Sequence, residues 1–116
     1  MMNILEVSGL IQDKIKLLER MRLEIRDRSI EKATTSSAYD KAMAITIIKL
    51  KNGQELMLDN EAVMCTSVTL IDKIARGICW KEKLEMDKAE ALYKSLISNI
   101  DSVQSELNGL QSVNRY

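Results

Sequence analysis

The sequence has no histidine, no proline and no phenylalanine, and only four glycines among its 116 residues. Without histidine, the chain lacks the usual general base near neutral pH, which excludes Ser–His and Cys–His nucleophiles and Cys/His zinc sites. No glycine-rich phosphate loop or nucleophile elbow occurs in the sequence. We therefore expect a protein that is not an enzyme and that has no cofactor and no catalytic or metal-binding residues.

Proline and glycine are also the residues of tight turns, which an all-β fold needs in large number. Their scarcity favours a few long helices joined by few loops. Hydrophobic residues make up 46% of the chain and charged residues 29%, which is typical of a folded soluble protein. The length suits one small domain. We expect a single all-α domain over residues 1–116.

The charges balance, with 17 Lys and Arg residues against 17 Asp and Glu residues. A chain without net charge has no long-range attraction for nucleic acid or for an anionic membrane. The longest apolar run, residues 42–48, is far shorter than the roughly 20 residues of a membrane span. The first residues have no basic leader with an apolar run behind it. We therefore expect the protein to lie in the cytoplasm, without membrane contact. In that compartment Cys65 and Cys79 are expected to be free thiols.

Apolar residues recur every three or four positions from Asn3 to Lys32, which predicts an amphipathic helix with Asn3 as its N-cap. The TTSS segment at residues 34–37 predicts a break, because Ser and Thr compete for backbone hydrogen bonds. A second helix is predicted from Ala38 onward. The stripe of the first helix consists of Ile4, Val7, Ile11, Ile15, Leu18, Met21 and Ile25.

The Asn52-Gly53 pair has two interpretations. It can end a helix, with the glycine in the left-handed conformation, or it can form the two-residue turn of a hairpin. We favour a helix that ends near Lys51, followed by a short extended or β-like arm over residues 53–60. A hairpin over residues 45–58 is the alternative.

A short amphipathic helix is predicted next, because Thr69 and Asp72 fit the start of a capping box. Gly77 weakens this helix, which can end or bend there or continue into the next helix. Nearby basic residues could make Cys79 a redox-sensitive thiol. The favoured interpretation is that Cys79 and Trp80 pack between helices, since free cysteine is among the most buried residue types.

The most regular spacing lies in the last third, where apolar residues recur from Met86 to Leu110 and predict a heptad seam. The first and last helices should pack as an antiparallel hairpin with coiled-coil character, and two shorter helices should close one end. Because this hairpin leaves apolar residues uncovered, we expect a homodimer or higher homo-oligomer; a monomeric four-helix bundle is the alternative. The packing or oligomer seam is predicted to contain Ile11, Ile15, Leu18, Ile25, Tyr93, Leu96, Ile100, Val103 and Leu107.

A run of basic residues near the end of the first helix could bind an anion or a partner. Arginine makes bidentate contacts to phosphate and carboxylate, so the run could bind nucleic acid, a nucleotide or an acidic protein surface. The alternative is a solvated helix face that neighbouring acidic residues neutralise. The run consists of Arg20, Arg22, Arg26, Arg28 and Lys32.

The stretches AYDKAMA, IIKLKNG, TLIDKIARG and DKAEALYKSLISNI, followed by ELNGLQSVNR, resemble a group of small proteins encoded by phages and prophages of Gram-positive bacteria. The resemblance covers roughly residues 38–115 and brings no functional residues with it. It implies a phage accessory protein in the host cytoplasm that binds a replication or recombination protein or single-stranded DNA. The alternatives are an inhibitor of a host defence system, such as an anti-CRISPR-like protein or a nucleotide sponge, and a virion assembly factor.

Overall fold

The computed structural model describes residues 3–114, which form three α-helices and a two-stranded antiparallel sheet. The prediction of a mostly helical fold with a short β-like arm is confirmed. A 3-10 turn at Val68–Leu70 precedes the second helix. The elements are α1 (Ile4–Lys51), β1 (Leu56–Leu58), β2 (Glu61–Val63), α2 (Ile71–Ile78) and α3 (Trp80–Asn114).

The chain divides into two compact units. The first unit contains Met1–Ile30 and Ala91–Tyr116, and therefore the beginning of α1 and the end of α3. The second unit contains Glu31–Glu90, and therefore the end of α1, both strands, α2 and the beginning of α3.

The start of α1 confirms that Asn3 is the N-cap. The backbone amide of Glu6 donates to Asn3 Oδ1 at 2.8 Å, and the backbone amide of Asn3 donates to Glu6 Oε2 at 3.3 Å. This reciprocal pair is a capping box, which satisfies two backbone donors that the first turn of a helix leaves unbonded.

The predicted break at residues 34–37 is wrong, because α1 is helical without interruption to Lys51. Thr35 Oγ1 donates to the carbonyl oxygens of Glu31, at 2.9 Å, and Lys32, at 3.2 Å. A hydroxyl that bonds back to the preceding turn no longer competes for the backbone bonds of its own turn. The helix predicted to begin at Ala38 is therefore the second half of α1.

The core of the first unit lies between α1 and α3. Leu18 and Met21 on α1 pack with the buried α3 residues Leu96, Val103 and Leu107. An ion pair joins Lys14 Nζ to Glu106, whereas residues 17–28 line a groove together with residues 92–99. The two segments therefore run antiparallel, as in the hairpin predicted for the first and last helices.

The core of the second unit brings the end of α1, the hairpin and α2 together. Leu50 on α1 is 2% exposed and packs with Ile71 and Ala75 of α2. Leu56 on β1 is half-buried against the same cluster. The hairpin is thus attached to the unit by one of its two faces.

The Asn52-Gly53 pair ends α1, as favoured, and the hairpin turn lies elsewhere. The Gly53 amide donates to the Leu50 carbonyl at 3.0 Å, and the Gln54 amide donates to the Lys49 carbonyl at 3.0 Å. With Gly53 at φ 75, this is a Schellman motif. The alternative of a hairpin over residues 45–58 is wrong.

The turn between β1 and β2 consists of Asp59 and Asn60, with φ values of 47 and 69. Two successive positive φ values match the right-handed twist of the flanking strands in a type I′ turn, and Asp and Asn tolerate them better than most residues.

The start of α2 does not use the predicted capping box. The N-cap of α2 is Leu70, which provides no side-chain cap. Instead the Leu70 amide donates to the Ser67 carbonyl at 3.1 Å, which closes the preceding 3-10 turn. The Thr69 hydroxyl lies 2.9 Å from the Ser67 hydroxyl in a hydrogen bond, so it does not bond the first turn of α2.

The break between α2 and α3 falls at Cys79, two residues after Gly77, so one continuous helix is wrong. Cys79 has φ −90 and ψ 24. Its amide still donates to the Ala75 carbonyl at 2.9 Å, and its own carbonyl accepts from the Lys83 amide at 3.0 Å. The backbone amide and carbonyl of Cys79 therefore both keep a hydrogen bond at the point where one helix ends and the next begins.

The role of Gly53 can be tested by substitution with alanine. A Cβ at Gly53 would meet no atom within 4 Å, so the cost of Gly53→Ala is the left-handed backbone alone. We expect a loss of about 1–2 kcal/mol in the free energy of unfolding, measured by urea denaturation. Gly9→Ala is the control, because Gly9 lies inside α1 with the same open space; it should raise stability by up to about 1 kcal/mol. If Gly53→Ala and Gly9→Ala changed the free energy of unfolding equally and in the same direction, the left-handed backbone at residue 53 would not be the cause.

Candidate functional site

The predicted seam residues of the first unit mostly pack within one chain. Leu18, Leu96, Val103 and Leu107 are buried, and Ile11, Ile25 and Ile100 are half-buried against them. Tyr93 is half-buried, and Ile15 is 40% exposed. The oligomer that the sequence predicts stays a prediction.

Between Ile11 and Leu18, the residue that faces α3 is Lys14 and not Ile15. The Lys14 side chain is 28% exposed, and its Nζ reaches Glu106 on α3. Positions 11, 14, 18, 21 and 25 alternate three and four residues apart, whereas a series that passes through residue 15 does not alternate in this way. The sequence therefore contained this signal, but a charged residue at a seam position concealed it.

The basic run on α1 does not form one patch. Residues in an α-helix are rotated by about 100° from one to the next, so Arg22 and Arg26 share a face, whereas Arg20 lies on a different side. These three residues are exposed. Arg28 is half-buried, and its Nη2 lies 3.4 Å from Glu24 Oε1. Lys32, in the second unit, is half-buried.

The hairpin exposes a surface that the sequence did not reveal, the methionine surface, made of Met57, Ala62 and Met64. Met57 pairs with Ala62 across the sheet, and Met64 directly follows β2. Met57 is 62% exposed and Met64 57% exposed. The neighbours of Met57, Leu56 and Leu58, are half-buried on the opposite side of the strand. In the sequence, the run LML followed by the turn-forming residues DN was the pattern from which this hairpin could have been predicted.

The segment that carries the methionine surface has charge of one sign. Residues 53–66 contain Glu55, Asp59 and Glu61 and no lysine or arginine. All three carboxylates are exposed. Glu61 pairs with Leu58 and so lies on the other face of the sheet, which leaves Glu55 and Asp59 as the acidic rim of the methionine surface. A negative rim around an apolar centre repels phosphate groups and attracts basic groups.

The Cys79 thiol, which the sequence left as a candidate, is buried. Cys79 is 2% exposed, and its Sγ lies 3.3 Å from Thr46 Oγ1 in a buried hydrogen bond. Trp80 was expected to pack beside it but is 42% exposed, with Lys81 Nζ at 5.6 Å from its ring centroid. Cys65 is half-buried, and its thiol donates to the Ser67 carbonyl at 2.9 Å.

Within residues 3–114, no group of three or more Cys, Asp and Glu side chains is arranged to hold a metal ion. No helix in this range is both long enough and apolar enough to span a bilayer.

Comparison with protein-family models, with curated proteins and with solved structures finds no match for this chain. The resemblance to small phage proteins therefore stays a prediction.

The burial of the two thiols predicts different reactivity in the folded protein. We expect Cys65 to react with the thiol reagent DTNB at least about tenfold faster than Cys79, because a buried thiol reacts only when the fold opens. Absorbance of the released thiolate would measure both rates. Cys65→Ser should remove the fast phase and Cys79→Ser should leave it unchanged; a fast phase that survives Cys65→Ser would contradict the burial of Cys79.

Proposed function

We propose that this protein is a non-enzymatic phage accessory protein that binds a partner protein through its methionine surface. One observation carries the proposal: Met57 and Met64 are more than half exposed on a hairpin whose other face packs on α2. Large apolar side chains grouped in water are typical of interaction sites.

Methionine suits such a site because its unbranched, polarizable side chain adapts to partners of different shape. The open strand edges add a second means of recognition. The sheet has two strands within the described residues, so each strand has one edge that is not paired. An extended segment of a partner can form backbone hydrogen bonds along such an edge.

The resemblance to phage proteins supports a phage replication or recombination protein as the partner. The alternative is a host defence protein, which this protein would inhibit. The acidic rim of Glu55 and Asp59 suits either partner if that partner binds nucleic acid, since such proteins have basic surfaces. The two alternatives differ in whether phage or host encodes the partner.

Replacement of both methionines by glutamate should abolish partner binding. Met57→Glu with Met64→Glu puts two carboxylates where the partner would bury apolar area, and we expect at least a tenfold loss of co-purified partner from phage-infected cells. Quantitative mass spectrometry measures the loss, and the identity of the lost protein decides between a phage and a host partner.

The matched control is Gln54→Glu with Thr66→Glu, which adds the same charge at two exposed positions within residues 53–66. The control should retain the partner, and both variants should keep the helical circular dichroism of the natural protein, since exposed substitutions change stability little. A set of co-purified proteins that is the same for all three proteins would contradict the proposal.

A second candidate function is binding of single-stranded DNA, favoured by Arg22 and Arg26, which are exposed one turn apart on α1. Two guanidinium groups on one face can contact adjacent phosphates.

If this second candidate is right, Arg22→Ala with Arg26→Ala should weaken binding and lower its dependence on salt. Loss of two phosphate contacts should reduce the slope of log K against log salt by about 1.4. Fluorescence anisotropy of a labelled oligonucleotide measures this slope. Lys73→Ala, an exposed lysine on α2, is the control; absence of binding by the natural protein at low salt would exclude this candidate.

A further inference from the structure

The first unit has a second apolar stripe on α1, on the side of the helix that faces away from α3. Leu23 is 69% exposed and Ile30 is 59% exposed. They lie seven residues apart, about two turns, and so on one face. That face is opposite to the face of Leu18, Met21 and Ile25, which packs on α3.

Charged residues flank this stripe in an ordered way. Glu19 and Arg26 lie along one flank of Leu23, and Arg20 and Asp27 lie along the other flank. All four residues are exposed, and within residues 3–114 none of them takes part in an ion pair. Each flank therefore offers one carboxylate and one guanidinium to another molecule.

The geometry points to a second copy of this chain as that molecule, packed antiparallel across a two-fold axis that passes beside Leu23. Such an axis, at right angles to two antiparallel helices, brings each flank of one helix against the same flank of the other. Along each flank, it places a residue opposite the residue of the same flank that lies about equally far from Leu23 on the other side.

The charges are complementary in this arrangement. Glu19 lies four residues before Leu23 and Arg26 three residues after it, so each Glu19 meets Arg26 of the second copy. Arg20 lies three residues before Leu23 and Asp27 four residues after it, so the other flank gives a second pair of the same kind. The symmetry repeats both contacts, which makes four ion pairs between opposite charges and none between like charges.

The apolar residues fit the same register. Leu23 meets Leu23 of the second copy at the axis. Ile30, seven residues after Leu23, meets Lys16 of the second copy, seven residues before Leu23. Lys16 helps to line a shallow depression together with Arg20 and Leu23, and its aliphatic stem can cover an isoleucine while its ammonium group stays in water. A parallel pair would instead bring the two Lys16 side chains together.

The test uses charge reversal and sedimentation equilibrium over protein concentrations from about 10 μM to about 1 mM, since a short helical contact gives weak association. The natural protein should show a concentration-dependent dimer. Glu19→Arg and Arg26→Glu each place like charges opposite each other, so each should lower the association constant about tenfold or more. Asp101→Arg, which makes the same change of charge at an exposed site on α3, should dimerise as the natural protein does.

An equal mixture of the Glu19→Arg and Arg26→Glu variants tests the pairing directly. In the mixture, position 19 of each chain faces a position 26 of opposite charge on the other chain, so a heterodimer should form far more strongly than either variant associates alone. In a parallel pair, position 19 would instead face position 20 of the other chain, because opposite flanks would then meet, so the mixture would associate no more strongly than either variant alone. A monomeric natural protein, a single variant that dimerises normally, or a mixture without a heterodimer would each overturn the inference.

This inference is independent of the proposed partner protein, because the dimer face lies within residues 16–30 and the methionine surface within residues 57–64. Loss of the dimer with retained partner binding would refute only the dimer. Loss of partner binding in the methionine variant with an intact dimer would support the proposed function without bearing on the dimer, and unchanged partner binding in that variant would refute only the proposed function.

Discussion

The first unit depends on one contact, the burial of two apolar stripes on antiparallel helices. Leu18 and Met21 on α1 are removed from water only because Leu96, Val103 and Leu107 on α3 cover them. A buried side chain of this kind contributes about 1.5–3 kcal/mol, whereas an exposed ion pair contributes about 0–1 kcal/mol. Burial in the three–four spacing therefore decides which face of α1 turns inward, and the Lys14–Glu106 pair adds only to its register.

In the second unit the corresponding constraint is the end of α1. Gly53 is the residue that lets the chain leave the helix with a left-handed backbone, and the Schellman bonds satisfy the last carbonyl groups. The strands that follow are three residues long and too short to be stable alone. Leu56 anchors them to the cluster around Leu50. A hairpin anchored by one face must turn its other face outward, which explains why Met57 is exposed.

Much of the fold could be predicted from local rules. The N-cap at Asn3, the helix end at Lys51 and the seam of α3 each follow from a few neighbouring residues. The predictions at Thr35 and Thr69 failed because a hydroxyl group has several acceptors within reach, and the sequence does not tell which one it uses. Thr35 bonds to carbonyl groups inside the helix, and Thr69 bonds to the Ser67 hydroxyl. The candidate surfaces were harder to predict, because the exposure of Met57 depends on what the rest of the chain covers, and two strands of three residues give too short a pattern to be distinguished from an irregular arm.

The two outward surfaces would select their partners by different physical means. Around Leu23 the apolar area is small and the charges are ordered in sign, so burial provides the attraction and the flanking charges set the register. Around Met57 the charges of the rim have one sign and so cannot define a register; the flexible thioether side chains adapt to the partner instead. A surface of the first kind accepts an arrangement with complementary order, which a second copy supplies by symmetry. A surface of the second kind accepts any basic partner with an apolar centre, so its specificity must come from the partner's shape and from the open strand edges.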